Sequence, residues 1–252
     1  MSDERWPLEH LRGSAAAFHA RDVPEPAAAS VWWFEVERPA VVRGSTQRDD
    51  VIDGAAAKAA GIEVAQRRSG GGAVFLEPGG ALWIDVILPA TDPRWDRDVG
   101  RSFGWLGRAW AEVVDQLGQS GASVHEGPLL HRPWSDVVCF AGLGPGEVTV
   151  DGQKVVGISQ RRTRSAARFQ CALLQRWDPG PLVAVLALRL RSARRRHRTC
   201  GPSPAASARS TGSASSRCSA PPWPPRTDRY ERAFVQVSPH FSLRSEGNGI
   251  EW

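Results

Sequence analysis

The sequence predicts an α+β domain, a mixed or antiparallel sheet with helices packed against it. Three observations carry that expectation. Strand-like runs outnumber helical ones; the helical runs are few and separated rather than alternating regularly with strands; and two apolar runs are joined by Asp151-Gly152, a dipeptide favoured in tight hairpins.

Taken in order, residues 1–30 form an N-terminal segment ahead of the first clear strand. Residues 31–42 contain Trp32, Trp33 and Phe34 followed by β-branched positions, and they read as one strand ending in the polar turn Arg43-Gly44-Ser45-Thr46-Gln47. Asp49 and Asp50 are placed to cap an alanine-rich helix over 51–60, which Gly61 stops before a short strand at 62–65. Residues 66–76 then read as strand, glycine loop, strand, and 81–88 as a further strand. Phe103, Leu106, Trp110, Val113, Val114 and Leu117 recur at three- and four-residue spacing, which predicts the long amphipathic helix over 98–117. A short strand is expected at 136–140, a hairpin at 147–159 around Asp151-Gly152, and a strand at 169–177 beside it. No internal repeat is visible.

Bulk composition, 252 residues with 41% hydrophobic and 23% charged, excludes a fibrous or wholly disordered chain. The formal charge of +5 is unevenly placed: residues 188–252 hold 12 Arg against 4 acidic residues, a net of +8, which leaves −3 for residues 1–187. Arg, Ser, Pro and Ala make up 37 of those last 65 residues, too little apolar material to offset the entropy of ordering. A domain over 31–187 and a disordered tail over 188–252 are therefore expected. The loss of pattern after the apolar run at 182–188 reads as translation in a shifted frame of GC-rich DNA, which the coding sequence would test. A basic run is only a compositional signal, so no nucleic-acid partner is expected. Cysteines at 139, 171, 200 and 218 have neither disulfide-framework nor metal spacing. No run approaches a membrane span, and the acidic start Met1-Ser2-Asp3-Glu4 is unlike a secretory signal, so a cytoplasmic location is expected.

Chemistry concentrates in two places. Gly70-Gly71-Gly72 removes every Cβ from one loop, so its amides can approach an anionic ligand, and Arg67 and Arg68 stand beside it. A plain flexible turn is the competing reading. The chain has only two lysines, Lys58 and Lys154, against 30 arginines; Lys58 belongs on a solvated helix face, and Lys154 follows the hairpin turn on a half-buried strand. Gly100-Arg101-Ser102-Phe103-Gly104 fits G-x-S-x-G but follows a charged stretch where a nucleophile elbow needs a buried strand. Gly142-Leu143-Gly144-Pro145-Gly146 fails the dinucleotide pattern, and His125 and His131 offer no metal spacing.

Residues 66–76 resemble the R-R-x-S-G-G-G-A-V-(F/Y) signature of the lipoate-protein ligase and octanoyltransferase family, in the biotin/lipoate A/B protein ligase superfamily. Residues 150–162, Val-Asp-Gly-Gln-Lys-Val-Val-Gly-Ile-Ser-Gln-Arg-Arg, resemble its lysine segment, in the family's order and about 80 residues downstream. The resemblance runs over about 32–186 and includes Gly44-x-x-Gln47 and the segment ending Cys139-Phe140.

The resemblance implies a biotin/lipoate ligase-like catalytic domain whose glycine loop, with Arg67, Arg68, Ser69, Ala73 and Gly157, holds an acyl chain and its activated head group beside Lys154. Two routes share that site. A ligase would use ATP and Mg2+ to activate lipoate, while an octanoyltransferase would need no cofactor and take octanoate from acyl carrier protein as a cysteine thioester, with a lysine favouring the thiolate. Cys139, in a Cys-Phe pair ahead of the lysine hairpin, is the implied nucleophile; Cys171 is expected to be structural. The acceptor would be an apo lipoyl domain or a glycine-cleavage H-type carrier protein. Leu76 stands where the family has histidine, and Gly80 where it has asparagine. A third reading is a non-catalytic acyl-binding relative, which would need neither Lys154 nor Cys139.

Overall fold

Two sheets share an aromatic core in the computed structural model, which describes residues 6–187 and 243–245. The larger runs β11(Leu243–Ser245), β1(Trp6–Gly13), β2(Ser30–Val36), β6(Ala81–Pro89), β10(Ala166–Leu174), β9(Gln153–Arg162), β8(Val148–Val150) and β7(Ser123–Val124). Its β1 pairs in parallel with both neighbours, and the remaining pairs are antiparallel. The smaller sheet places β3(Ala40–Arg43) between β4(Glu63–Gln66) and β5(Val74–Leu76).

Period-two alternation on the larger sheet sends two sets of side chains in opposite directions. Trp33, Ile84, Val86, Phe169 and Leu173 meet Leu106, Trp110, Val113 and Val114 from α3(Gly104–Gln116), whose apolar stripe covers that face. From the opposite face, Trp32, Phe34, Trp83 and Ile87 pack with Ala40, Val42, Ala65 and Leu76 of the smaller sheet. The helix α1(Ala15–Ala20) enters the same layer through Ala15 and Phe18, the ring of Phe18 stacking on Phe34. The outer face of the smaller sheet is covered by Ala57 of α2(Gly54–Ala59) and by Leu182 and Val185 of α4(Gly180–Val185). No helix among the described residues is long and apolar enough to cross a membrane.

Several sequence expectations need correction. Residues 31–42 are not one strand: the chain turns at Glu37-Arg38-Pro39, where proline offers no amide to a ladder, and β2 and β3 lie in different sheets. Asp49–Val51 is a 3-10 turn; the helix begins at Gly54, because the Asp53 carboxylate accepts from the amides of Ala55 and Ala56. The helix expected from 98 likewise starts with a 3-10 turn, Arg101–Phe103. Residues 136–140 are not strand, and Cys139–Ala141 forms a 3-10 turn. The segment 1–30 supplies β1 and α1 to the same sheet and core, so within 6–30 no structural boundary separates it from the rest. Apart from Leu243–Ser245, which extends the sheet as β11, the tail at 188–252 lies outside the described residues.

Polar groups between the sheets are few and tied together. Arg168 donates to Asp85 Oδ2 at 2.6 Å and to the carbonyls of Phe18 and Arg21, anchoring the end of α1 to the sheet. Trp83 Nε1 donates to the other Asp85 oxygen at 2.7 Å. Burial pushes the Asp85 carboxyl up, and the neighbouring Arg168 guanidinium opposes that shift.

His19 lies against the Trp83 ring at 4.5 Å, and burial, then the nearby Arg168 and Arg67 charges, lower its pKa from 6.5 to about 3. Between those values the unfolded chain binds a proton at His19 that the folded chain does not. The group therefore supports the fold above pH 6.5, and this support is lost as pH falls toward 3, at up to about 1.4 kcal/mol per pH unit. Urea unfolding at stepped pH should show a steeper loss in the wild type than in His19→Phe over that window; identical slopes would contradict a buried neutral imidazole.

Candidate functional site

The glycine loop joins β4 to β5 on opposite edges of β3, so it arches over the end of the smaller sheet. Arg67 sets its shape. The guanidinium, 4% exposed, donates to the carbonyls of Gly70 and Gly72 at 2.8 Å and more weakly to Val42 O. Arg68 pairs with Asp22 and Ala20 O on the outside. Both arginines are thus engaged by the protein itself, and Arg67 also borders the narrow cavity beside the loop. Ser69 Oγ lies within 2.9 Å of Ser159 Oγ and donates to Gln170 Oε1 at 2.8 Å, which pins the loop onto β9 and β10.

Close approach explains two of the glycines. A Cβ on Gly44 would lie 1.9 Å from Gly71 O, and one on Gly72 would lie 2.6 Å from the carbonyl carbon of Val138. Gly71 itself has φ +99°, a left-handed value. Among the described residues, the amides of Gly70, Gly71 and Gly72 donate to no protein acceptor, and all three residues line the large cleft. The result is a backbone nest open to an anionic oxygen.

The segment expected as a strand at 136–140 is a strap between the sheets. Ala73 N donates to Val137 O at 2.7 Å, Cys139 N donates to Ala73 O at 2.8 Å, and Gln47 Nε2 donates to the carbonyls of Asp136 and Val137. Its far side meets the hairpin. Asp151 and Gly152 have φ 51° and 73°, the paired positive values of a tight turn, so β9 folds back directly on β8 and delivers Lys154 to the strap.

The Lys154 side chain is 3% exposed. Its Nζ lies 2.7 Å from Glu147 Oε2, donates to Cys139 O at 2.9 Å, and sits 4.9 Å from the centre of the Phe140 ring. Gly157 makes room for both neighbours, since a Cβ there would lie 3.2 Å from Lys154 Cε and from Phe140 Cζ. Glu147, which the sequence reading did not single out, also accepts from the amides of Gly144 and Ile158. Its only sequence signal is a carboxylate at the mouth of a hairpin that carries a half-buried lysine. Lys58 is exposed on α2 and borders neither the cleft nor the narrow cavity beside this arrangement. Cys171 faces the α3 core, where burial pushes its thiol well up.

Gly70–Gly72, Lys154, Glu147 and Cys139 all border a cleft of about 1070 Å³. Beside it lies a narrow cavity of about 50 Å³ walled by Val74, Leu76, Trp83, Phe140, Gly157 and Ala172, with His19 and Gln170. Cys139 belongs to both walls. A magnesium-bound triphosphate needs cations for its phosphate oxygens and one or two carboxylates for the metal. Here Arg48 pairs with Asp50, Lys154 with Glu147, and His131 faces Asp136. No three His, Cys, Asp or Glu side chains converge as a metal site among the described residues. Among the described residues the cleft's charges thus lie beside groups of opposite sign or a histidine, with Arg48 and Asp136 largely exposed to it.

The sequence matches the lipoyl protein ligase A/B catalytic domain over residues 14–211, a span that continues past the boundary at 187 expected from composition. Octanoyltransferase LipM of Clostridioides difficile strain 630 is 23% identical over 138 residues, 55% of this chain and 46% of that protein, so the match spans less than half of that relative's length. Two solved structures superpose on most of the chain at 18% identity. A lipoate-protein ligase of T. acidophilum with bound lipoic acid gives a TM-score of 0.66, covering 98% of this chain and 91% of that one. Lipoate-protein ligase A bound with ATP gives 0.62, covering 98% and 90%. At that identity the structures speak for the α+β fold alone, while the match over most of the sequence decides the family. The chain belongs to the lipoyl protein ligase A/B catalytic domain family.

Proposed function

We propose that this protein is an acyltransferase of lipoate metabolism, which carries an octanoyl or lipoyl group as a thioester on Cys139 and passes it to the lysine of an apo lipoyl domain or a glycine-cleavage H-type carrier in the cytoplasm. The observation that carries the reading is the position of Cys139, in the wall of both the narrow apolar cavity and the open cleft. An acyl chain can lie on the apolar side while its carbonyl and two successive carriers are handled from the cleft. The similarity to an octanoyltransferase supports the same choice.

In the first step the Cys139 thiolate attacks the thioester carbonyl of an acyl donor such as acyl carrier protein, and the donor leaves as a thiol that takes up the proton. In the second step the uncharged amine of the carrier lysine attacks the Cys139 thioester, forming the amide and releasing the Cys139 thiol. Both steps pass through a tetrahedral oxyanion, for which the open amides of Gly70, Gly71 and Gly72 offer preorganised donors. Lys154 acts as a positioning residue: its ammonium holds the Cys139 carbonyl and Glu147 together, fixing the strap against the hairpin. Arg67 does the same for the loop through the Gly70 and Gly72 carbonyls.

Intact-mass measurement tests the reading. The protein is incubated with octanoyl-acyl carrier protein and an apo lipoyl domain without ATP, and separately with lipoate, Mg-ATP and the domain. The expected result is an octanoyl adduct on the protein that hydroxylamine removes, followed by an octanoyl mass shift on the domain, both without ATP. A lipoyl shift that appears only with ATP, and no adduct, would replace this reading with the ligase. No shift in either mixture would favour a non-catalytic acyl-binding protein.

A further inference from the structure

The narrow cavity beside Cys139 has a second cavity behind it. Toward the turn between β5 and β6 lies a recess of about 160 Å³, and the two share the wall residues Leu76 and Trp83. Three strands place their residues in the same order along this line. On β5, Val74 walls the narrow cavity, Leu76 walls both, and Glu77, just past the strand, walls only the recess. On β6, Trp83 walls both, while Leu82 and Ala81 wall only the recess. On β10, Ala172, the ladder partner of Trp83, walls the narrow cavity, and Gln175 beyond the strand end walls the recess. Leu76 and Trp83 therefore stand as a partition across the layer between the sheets.

The two halves of the partition are held differently. Trp83 Nε1 donates to Asp85 Oδ1 at 2.7 Å, and its ring centre lies 4.5 Å from that of His19, 5.0 Å from that of Phe34 and 5.7 Å from that of Phe18. The Leu76 side chain is held by apolar packing alone, so it is the half that a substitution can remove. Its position along β5 sets a length. The Cys139 amide donates to Ala73 O, three residues before Leu76, which at strand rise puts the partition about 10 Å beyond the level of the nucleophile. Alternation turns Val74 and Leu76 into the layer between the sheets and Phe75 away from it, so a chain running along β5 from Cys139 meets the Leu76 side chain. With C–C bonds of about 1.5 Å, an extended alkyl chain advances roughly 1.3 Å per carbon and covers that distance in about eight carbons.

We propose that Leu76 is the chain-length stop of the acyl site: set against Trp83, it ends the space open to a chain at about eight carbons and shuts longer chains out of the recess behind it. The proposal rests on the acyl-transfer reading of the same site and adds which chains that site takes. Leu76 determines specificity only; it lies away from the reacting atoms at Cys139.

Isothermal titration of the full-length protein with hexanoate, octanoate, decanoate and dodecanoate tests it. Each methylene that gains an apolar wall raises affinity about fourfold, so the wild type should bind octanoate about fifteenfold more tightly than hexanoate and gain nothing further up to dodecanoate. In Leu76→Ala the rise should continue, with dodecanoate at least about tenfold tighter than octanoate. If the alanine variant fails to fold, Leu76→Val, which takes a single methylene from the partition, should move the break from octanoate to decanoate. A wild-type affinity that climbs through dodecanoate, binding of none of the four acids, or a break that stays at octanoate in the folded variant would overturn the inference. Failure here is separable from failure of the transfer reading. Octanoyl transfer with a break that ignores Leu76 sinks only this inference, and a break that moves with Leu76 in a protein that forms no thioester sinks only the mechanism.

Discussion

Replacing Cys139 with alanine should abolish acyl transfer to the carrier, lowering the rate by at least about 10³-fold, while the folded protein and its acyl binding remain. The thiol supplies the one atom on which the intermediate is built, so nothing nearby compensates for its loss. The fold has little stake in that side chain. Cys139 is only partly buried on the strap, and its structural bonds run through its own main chain to Ala73 and Lys154, which alanine keeps. Stability should therefore change by less than about 0.5 kcal/mol. Transfer rates and urea midpoints measured on the same preparation check both halves; a variant that retains a tenth or more of the rate would exclude Cys139 as nucleophile. Lys154 is a poorer probe, because removing it strands the buried Glu147 carboxylate and confounds chemistry with unfolding.

The largest stability effect is expected at Arg168→Ala, about 3–5 kcal/mol, because Asp85, fully buried, would lose its charged partner. The same change frees the carbonyls of Phe18 and Arg21 that hold α1, the helix carrying His19. Without Arg168 the Asp85 acid is pushed further up by burial. A group whose folded pKa is raised supports the fold below its unfolded pKa and loses that support as pH rises, so the deficit should be larger at pH 7 than at pH 5. Replacing both partners with leucine should recover much of the loss, since two charges then leave the interior together. Equilibrium urea unfolding checks the series, and a single-variant cost below about 1 kcal/mol would mean that the pair is not desolvated as described.

The parts of this fold that announce themselves in sequence are those with local signatures. Asp151-Gly152 fixes a hairpin by turn geometry, the apolar spacing through Trp110 and Val113 marks α3, and three glycines mark a loop in which Gly71, by its φ, and Gly72, by close approach, must be glycine. Partner choice has no such signature. Residues 31–42 look continuous because Trp33 and Val41 are equally strand-like, yet they serve different sheets, and only the proline at 39 hints at the break. The strap at 136–141 shows the opposite error, for Val137 and Val138 have strand composition while their amides return to Trp134 O. β1 escaped notice because its burial is shallow and does not alternate. Glu147 and His19 were missed for a further reason: a single buried polar residue has no period, and its meaning comes from what the fold places around it.

The nucleophile's seat on the strap bears on how such a protein changes over evolutionary time. Neither sheet owns the segment around Cys139; it touches both through main-chain bonds that any non-proline residue can make at the points described. The side chain there is consequently free to vary while the scaffold stays intact. A lineage can gain or lose a thioester chemistry at this position by point substitution, keeping the glycine nest and the acyl cavity for a different way of activating the same carboxyl group.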